Sequence, residues 1–238
     1  MQLLGSNCSP LYVIGSIGML LNLSVLSVST YGSQYDCGTG DIVYEDVETE
    51  DSRSACAGAD KAKHFLSSLG LRTDVRITMN VVDQLTFCKT ESAVGCYKMN
   101  DGSVEILKFS AIKESKGDKI FNLEWSVDFY ESISAHESAH VVINHNRSYP
   151  RLSWLSHEYI AYVTQIATMP IELRERILYL YTAEAFGSTW EINATILMMS
   201  PALFSARAYR HFMRPENGKK FIRALLDGEE LPGNGPYP

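Results

Sequence analysis

The sequence predicts an α+β fold with a strand-and-helix lobe first and a mostly helical lobe second. Residues 34–125 contain short runs of alternating apolar and polar residues, separated by turn signals. Residues 126–227 instead place apolar side chains at helical spacing, with serine or proline where helices would begin. The chain has 238 residues, 45% of them hydrophobic, which suits one substantial core. We therefore expect a single domain over residues 34–238 that contains both lobes.

Residues 1–33 are predicted to be a signal peptide or an N-terminal hydrophobic segment. An apolar stretch covers residues 11–28, small polar residues follow it, and the first charged side chain of the chain is Asp36. An apolar core followed by small residues is typical of a secretory signal peptide, although no basic residue precedes this core. An uncleaved anchor is the alternative, but the stretch is short for a membrane span. We expect a periplasmic or secreted protein without stable membrane insertion beyond this segment.

The first lobe is expected to place one helix among its strands. Residues 54–69 have apolar side chains at helical spacing, and Gly70 follows them where a helix C-cap is common. The turn signal at residues 100–102 predicts that the runs on either side of it pair as a hairpin. The predicted strands are residues 41–47, 75–85, 95–97 and 103–109.

The second lobe is expected to consist of helices. The first helix spans about residues 126–145, with Ser126 or Asp128 as its N-cap, and Pro170 favours the start of a later one. The Pro- and Gly-rich tail, residues 228–238, is expected to be flexible. The remaining predicted helices are residues 153–169, 171–181, 190–199, 202–213 and 216–226.

The cysteines support export of the protein. Cys8 would be removed with a cleaved leader, which leaves four cysteines without the Cys-x-x-Cys spacing of a thiolate metal site. The simplest pairing joins Cys37 to Cys56 and Cys88 to Cys96, and such disulfides form in oxidising compartments. The alternative is four reduced, buried thiols in a cytoplasmic protein.

The charge pattern argues against a nucleic-acid partner. The formal net charge is −7, and the Lys and Arg residues are scattered along the chain rather than clustered. Proteins that bind nucleic acids need a basic patch to contact phosphates.

Residues 136–140 read His-Glu-Ser-Ala-His and predict a metal site on a helix. Side chains four residues apart lie on the same face of a helix, so His136 and His140 can direct two imidazoles at one cation. Glu137 would then lie beside the cation, where it can accept a proton from water. The segment around the motif is too apolar for an exposed helix, and unpaired buried polar groups are unfavourable. A metal-free polar cluster is the alternative.

A glutamate that could be a third ligand follows the motif. Glu158 stands eighteen residues after His140, within the segment Trp-Leu-Ser-His-Glu-Tyr-Ile-Ala-Tyr. Together the two segments resemble the gluzincin branch of the zincin metallopeptidases, in which the third zinc ligand is a glutamate written W-L-x-E-G-x-A-x-Y. The resemblance is specific over residues 126–165 and only architectural elsewhere. It is closest to small, uncharacterised bacterial gluzincin-like proteins.

The resemblance implies a zincin-like fold with one Zn²⁺ bound by His136, His140 and Glu158. It also implies that Glu137 acts as general base and that a peptide or protein substrate lies along an edge strand beside the motif helix. Two departures concern the third ligand. Tyr159 replaces the usual glycine, and the interval from the Trp-Leu pair to Glu158 is one residue longer. His157 is therefore the rival third ligand, since imidazole also binds zinc.

We expect a zinc-dependent metallopeptidase that hydrolyses peptide bonds with a metal-activated water. A donor for the developing oxyanion is also required. The candidate donors are His157, Tyr159, Tyr162, Tyr181 and His211. The alternative function is a non-catalytic zincin-fold envelope protein that binds zinc or a partner through the cleft, and a weaker one is an α+β envelope protein with a coincidental histidine cluster. The presence of Glu137 favours the enzyme, because a structural metal site needs no base.

Overall fold

The computed structural model describes residues 33–45, 49–88, 93–148, 152–229 and 231. The predicted leader before Ser33, with Cys8, and most of the predicted tail lie outside these residues. The described residues belong to one compact unit. Its strands all precede residue 125 and its second half is helical, which confirms the α+β class.

A five-stranded mixed sheet organises the first lobe, with strand order β1-β2-β3-β5-β4. The three inner strands β2, β3 and β5 are parallel, whereas β1 and β4 are antiparallel to their neighbours and form the two edges. The predicted hairpin turn at residues 100–102 joins β4 to β5, and Gly102 supplies its positive φ of 73°. The strands are β1 (Ser33–Asp36), β2 (Ile42–Glu45), β3 (Thr78–Val82), β4 (Gly95–Lys98) and β5 (Ser103–Leu107).

The predictions for the first lobe were wrong after residue 107. The strand expected over residues 103–109 ends at Leu107, and helix α2 (Phe109–Lys116) begins where its backbone N–H donates to Asp51 at 2.8 Å. A hairpin of β6 (Lys119–Ile120) and β7 (Leu123–Glu124) was not predicted at all. Its two turn residues, Phe121 and Asn122, have φ values of 51° and 58°, and neither is the glycine that usually marks such a turn.

Helix α1 (Glu50–Ser68) packs closely against α3 (Val127–Asn146). A Cβ atom on Gly58 would lie 2.3 Å from the carbonyl oxygen of Glu131, so only glycine fits at this crossing. Helix α1 begins four residues before the predicted start, because Thr49 caps it by accepting the N–H of Asp51. The close crossing at Gly58 fixes the position of α3 relative to α1.

Serine caps set the start of the two helices that follow the sheet. Ser126 accepts the N–H of Phe129 at the start of α3, and Ser153 accepts the N–H of Ser156 at the start of α4 (Trp154–Thr168). Both helices agree with the predicted ranges within two residues. The segment predicted as one helix over 190–199 instead forms a 3-10 turn followed by a short α-helix. The remaining helices are α5 (Ile171–Leu180), α6 (Ala194–Met199), α7 (Pro201–Phe212) and α8 (Gly218–Leu226).

Helix α3 lies between two hydrophobic clusters and contributes to both. Ile133 and Val141 belong to the cluster under the sheet, whereas Val142 and Ile143 belong to the cluster among the later helices. Every residue from Ser132 to Ile143 is buried, including the polar ones. Polar side chains in this stretch therefore need partners or a ligand.

Both predicted disulfides are present. Cys37 at the end of β1 is bonded to Cys56 in α1, and Cys88 is bonded to Cys96 in β4. Disulfides of this kind are typical of proteins that fold in oxidising compartments. Among the described residues, no helix combines the length and the apolar character needed to cross a membrane.

Candidate metal centre

Three side chains from two helices converge on one point. His136 and His140 lie one turn apart on α3, and each Nε2 is 3.5 Å from an oxygen of the Glu158 carboxylate on α4. The three ligand atoms all lie within 4.8 Å of one another. Both histidines are buried, while the Glu158 side chain keeps 19% of its surface exposed. This set could hold a metal ion.

The electrostatic environment of the three side chains favours a positive charge at the point where they converge. Burial lowers the pKa of His140 to about 3, so its ring is neutral and has a free lone pair. Burial alone would raise the pKa of Glu158, but the hydrogen bond to His136 and the positive charge that His136 can carry outweigh burial and lower that pKa. Burial likewise opposes protonation of His136, but its pKa is raised by Glu158. The carboxylate therefore attracts positive charge, a proton or a metal, to the point where the rings meet.

Glu137 lies beside the three ligands rather than among them. Only 8% of its surface is exposed, and burial raises its pKa to about 7. The backbone N–H of Tyr97 on β4 hydrogen-bonds its carboxylate and opposes part of this increase. A carboxyl group with a pKa near 7 can both accept and release a proton at neutral pH.

The edge strand β4 contacts the centre through Gly95 and Tyr97, which lie on the same face of the strand. A Cβ atom on Gly95 would lie 2.6 Å from Glu137 Cγ, so the strand passes as close to this side chain as glycine allows. The ring of Tyr97 stacks on the ring of His140, with centroids 5.9 Å apart and planes 12° apart. Gly95 and Tyr97 therefore confine the base and one ligand from the side of the sheet.

One ridge of α4 faces the motif helix. Glu158 is opposite both histidines, Tyr162 contacts the His136 ring with centroids 4.4 Å apart, and Gln165 donates to Ser132 at 3.4 Å. Contacts shift toward the start of α3 as they advance along α4, so the two helices run antiparallel. This pairing holds Glu158 at the level of the motif.

None of the other residues considered as ligands or donors belongs to the converging set. His157 is fully buried beside His140, with ring centroids 5.7 Å apart, and burial lowers its pKa to about 4. Tyr159 is buried in the helical lobe, where its hydroxyl is 2.7 Å from Nδ1 of His211. The Tyr181 hydroxyl accepts a hydrogen bond from Asn122 in the β6–β7 hairpin. Tyr162 is the one tyrosine of the three that contacts a member of the converging set.

Sequence reasoning missed the contribution of Gly95 and Tyr97. Glycine inside a strand weakens the strand and often marks a close approach of another group, so Gly95 carried a usable signal. Tyr97 carried none, because an aromatic residue in a strand is ordinary.

Comparison with known proteins identifies a family but no function. The model of a family of unknown function, DUF6639, matches residues 43–233, a region that includes both helices of the centre. No curated protein and no solved structure matches the chain.

Proposed function

We propose that this chain, which belongs to the DUF6639 family, is a zinc-dependent metallopeptidase of the gluzincin type. The observation that carries the proposal is the convergence of His136, His140 and Glu158. Beside them lies Glu137, whose carboxyl group can take up and release a proton near neutral pH. A structural zinc site usually has four protein ligands, whereas a catalytic site has three and an adjacent base. The strand lobe before α3 and the helices after it support a zincin-like fold.

The ligand spacing fits a four-coordinate zinc ion. Zinc binds imidazole nitrogen and carboxylate oxygen at about 2.0–2.2 Å, so two ligand atoms of a tetrahedral site lie about 3.4 Å apart. The His136 and His140 Nε2 atoms are each 3.5 Å from a different oxygen of Glu158, and one ligand atom from each residue lies within 4.8 Å of the others, so small side-chain shifts would bring the set to the zinc spacing. Two imidazoles and one carboxylate are also a ligand set that zinc accepts readily.

The proposed reaction is hydrolysis of a peptide bond. When bound, zinc lowers the pKa of a coordinated water and polarises a carbonyl. Glu137 accepts a proton from the attacking water and passes it to the leaving amine. Its position between Gly95 and the ligands allows it little freedom to rotate, so its carboxylate is held where that transfer is required.

Tyr162 is the residue we assign as hydrogen-bond donor to the developing oxyanion. Within the described part of the chain its hydroxyl makes no hydrogen bond, while its ring rests on His136. Burial and the charges of Glu158 and Glu137 raise its pKa well above the usual value, so the hydroxyl keeps its proton. A neutral phenol near the ligands can donate to a carbonyl oxygen as negative charge forms there.

The disulfides support a periplasmic or secreted location, and the substrate would then be a peptide or protein met outside the cytoplasm. The predicted leader is consistent with that location. Its fate can be determined from the N-terminal residue of the exported protein.

The decisive experiment is the Glu137→Gln variant. We expect it to retain about one zinc per chain and the melting temperature of the parent, while hydrolysis of a fluorogenic peptide library falls by roughly 10²–10⁴-fold. Glu131→Gln is the matched control, because Glu131 lies on the same helix and pairs with Lys61 at the surface. Wild-type hydrolysis by Glu137→Gln would refute the role of Glu137. Zinc binding without hydrolysis by the parent would favour the non-catalytic alternative.

Tyr162→Phe tests the donor. We expect kcat to fall by roughly 10²-fold with little change in KM or zinc content, since the donor acts mainly on the transition state. Tyr159→Phe is the matched control on the same helix, because its hydroxyl binds His211 instead. It should lower the melting temperature and leave kcat unchanged. Equal losses of kcat in both variants would refute the assignment of Tyr162 as the donor.

A further inference from the structure

Cys96 is the residue between the two that contact the metal centre from the sheet. Gly95 lies against Glu137, and the Tyr97 ring stacks on His140. Cys96 itself is buried and bonded to Cys88. Any movement of β4 at Cys96 therefore changes the contacts of both the base and one ligand.

Among the described residues, strand β4 has a neighbouring strand on one side only. It is four residues long and pairs with β5, in a register that places Cys96 opposite Glu105. Short edge strands with a single partner are among the parts of a sheet that open most easily. The disulfide adds a second attachment to this strand.

The other end of that attachment is fixed to the body of the protein. Thr86, two residues before Cys88, donates through its backbone N–H and its hydroxyl to the buried Glu105 carboxylate. Lys98 at the end of β4 forms an ion pair with the same carboxylate. Cys88 is thus held close to β5 through Thr86, and the disulfide ties Cys96 to that segment in addition to the pairing of β4 with β5.

We propose that the Cys88–Cys96 disulfide positions β4 against the metal centre, so that the centre binds zinc tightly and acts on substrate only while this bond is intact. The activity part of this inference rests on the proposed function, but the zinc-affinity part does not. Cys88 and Cys96 are positioning residues, since they act through Gly95 and Tyr97 on Glu137 and His140.

Reduction by a dithiol would open the bond. Cys88 is the accessible sulfur, because Cys96 has only 2% of its surface exposed. A thiolate of the dithiol attacks Cys88 Sγ, the S–S bond breaks, and Cys96 leaves as a thiolate that takes up a proton. The second thiol of the reductant then attacks the mixed disulfide, which releases Cys88 as a thiol and the reductant as a cyclic disulfide. Two electrons pass from the dithiol to the protein.

The Cys37–Cys56 disulfide provides a matched control. It joins the end of β1 to α1, elements that carry none of the proposed ligands or the base. It closes a longer loop, with a sequence separation of 19 against 8. On chain-entropy grounds its loss should lower the melting temperature at least as much as loss of Cys88–Cys96. A purely structural role would therefore affect the centre at least as strongly in the control.

The test compares Cys88→Ser/Cys96→Ser with Cys37→Ser/Cys56→Ser in the full chain, with Cys8→Ser in every protein to prevent exchange. Zinc dissociation constants are measured by competition with a chelator, and kcat and KM on the peptide library. We expect the first variant to bind zinc 10–100-fold more weakly and to lose at least tenfold in kcat, as loss of groups that orient ligands usually causes. The second variant should stay within threefold of the reference.

Reduction of the control variant supplies a second measurement that needs no new mutation at the strand. Cys88 and Cys96 are its only remaining cysteines, so dithiothreitol followed by desalting opens one bond, and reoxidation should restore affinity and rate. This measurement decides the question should Cys88→Ser/Cys96→Ser not fold. Unchanged zinc affinity and kcat after reduction, or equal losses in both double variants, would overturn the proposal. If the reference protein hydrolyses no peptide but loss of the Cys88–Cys96 bond still weakens zinc binding, the positioning role of the disulfide is upheld and the peptidase function is rejected.

Discussion

Replacing Gly95 with alanine tests how closely the edge strand confines the base. The added Cβ would lie 2.6 Å from Cγ, 2.7 Å from Oε1 and 2.9 Å from Cδ of Glu137. Carbon atoms in contact are about 3.5–4.0 Å apart, so the two groups must separate by about 1 Å. While the Cys88–Cys96 bond and the pairing with β5 hold the strand, the Glu137 side chain is the easier of the two groups to displace, so the base is the group that moves.

The expected loss is therefore in catalysis rather than in folding. Displacing a catalytic group by 1 Å can lower the rate about 10²-fold, which corresponds to about 2.7 kcal/mol of activation free energy. Residual overpacking should lower the free energy of unfolding by about 1–3 kcal/mol. Zinc content should stay near one per chain, because the three atoms nearest to the new methyl group all belong to Glu137. Peptide hydrolysis, metal analysis and urea denaturation measure the three quantities.

Gly102→Ala is the control for this variant. Gly102 lies in the turn that follows β4, has a φ of +73° and has no atom within 4 Å of an added Cβ. Its replacement introduces backbone strain of about 1 kcal/mol without touching the centre. We expect lower stability and parental kcat. Parental kcat in Gly95→Ala as well would show that Glu137 is not confined by β4, and the argument for its position would fail.

Three further predictions concern the ligand choice, acid stability and the helix crossing. Glu158→Ala should lower zinc occupancy and melting temperature together, while His157→Ala keeps its zinc; the opposite result in metal analysis would reassign the third ligand. Burial lowers the pKa of His211, so the unfolded chain binds more protons and stability should fall as the pH drops below about 6.5, by at most about 1.4 kcal/mol per pH unit. Urea titrations of His211→Gln should show a flatter slope there, and an unchanged slope would exclude His211 as the source. Gly58→Ala should destabilise the protein by about 3 kcal/mol in the same assay, because its Cβ meets the backbone carbonyl of Glu131, and a neutral effect would contradict the close crossing.

Local signals allowed the sequence to predict the helices of the centre and their ends. Ser126 and Ser153 cap α3 and α4 as expected, since a cap depends only on residues within one turn. The hairpin β6–β7 escaped prediction because Phe121 and Asn122 adopt positive φ without glycine. Helix α2 escaped because Asp51, far away in sequence, satisfies its first N–H. The hairpin was missed because its turn lacks the usual local signal, and the start of α2 because it depends on a residue distant in sequence.

The approach of β4 to the motif also depends on residues distant in sequence. Its contact with Glu137 follows from the order of strands in the sheet, which brings an edge strand from residues 95–98 beside a helix about forty residues later. The parallel connection from β3 to β5 and the return of β4 to the outer edge are both needed for it. Periodicity within each strand contains no information about either.

The choice between His157 and Glu158 shows how a local rule becomes decisive once a tertiary contact is known. Adjacent residues on a helix point about 100° apart, so His157 and Glu158 cannot both point at the place where His136 and His140 converge. Residues 158, 162 and 165 share a ridge, and the contacts of Tyr162 with His136 and of Gln165 with Ser132 orient that ridge toward the motif. Glu158 must then face the histidines, and His157 must turn toward the interior beside His140. The spacing of residues 158, 162 and 165 along the helix can be read from the sequence. Which face of α4 packs against the motif helix cannot be read from it, because that depends on the tertiary contact.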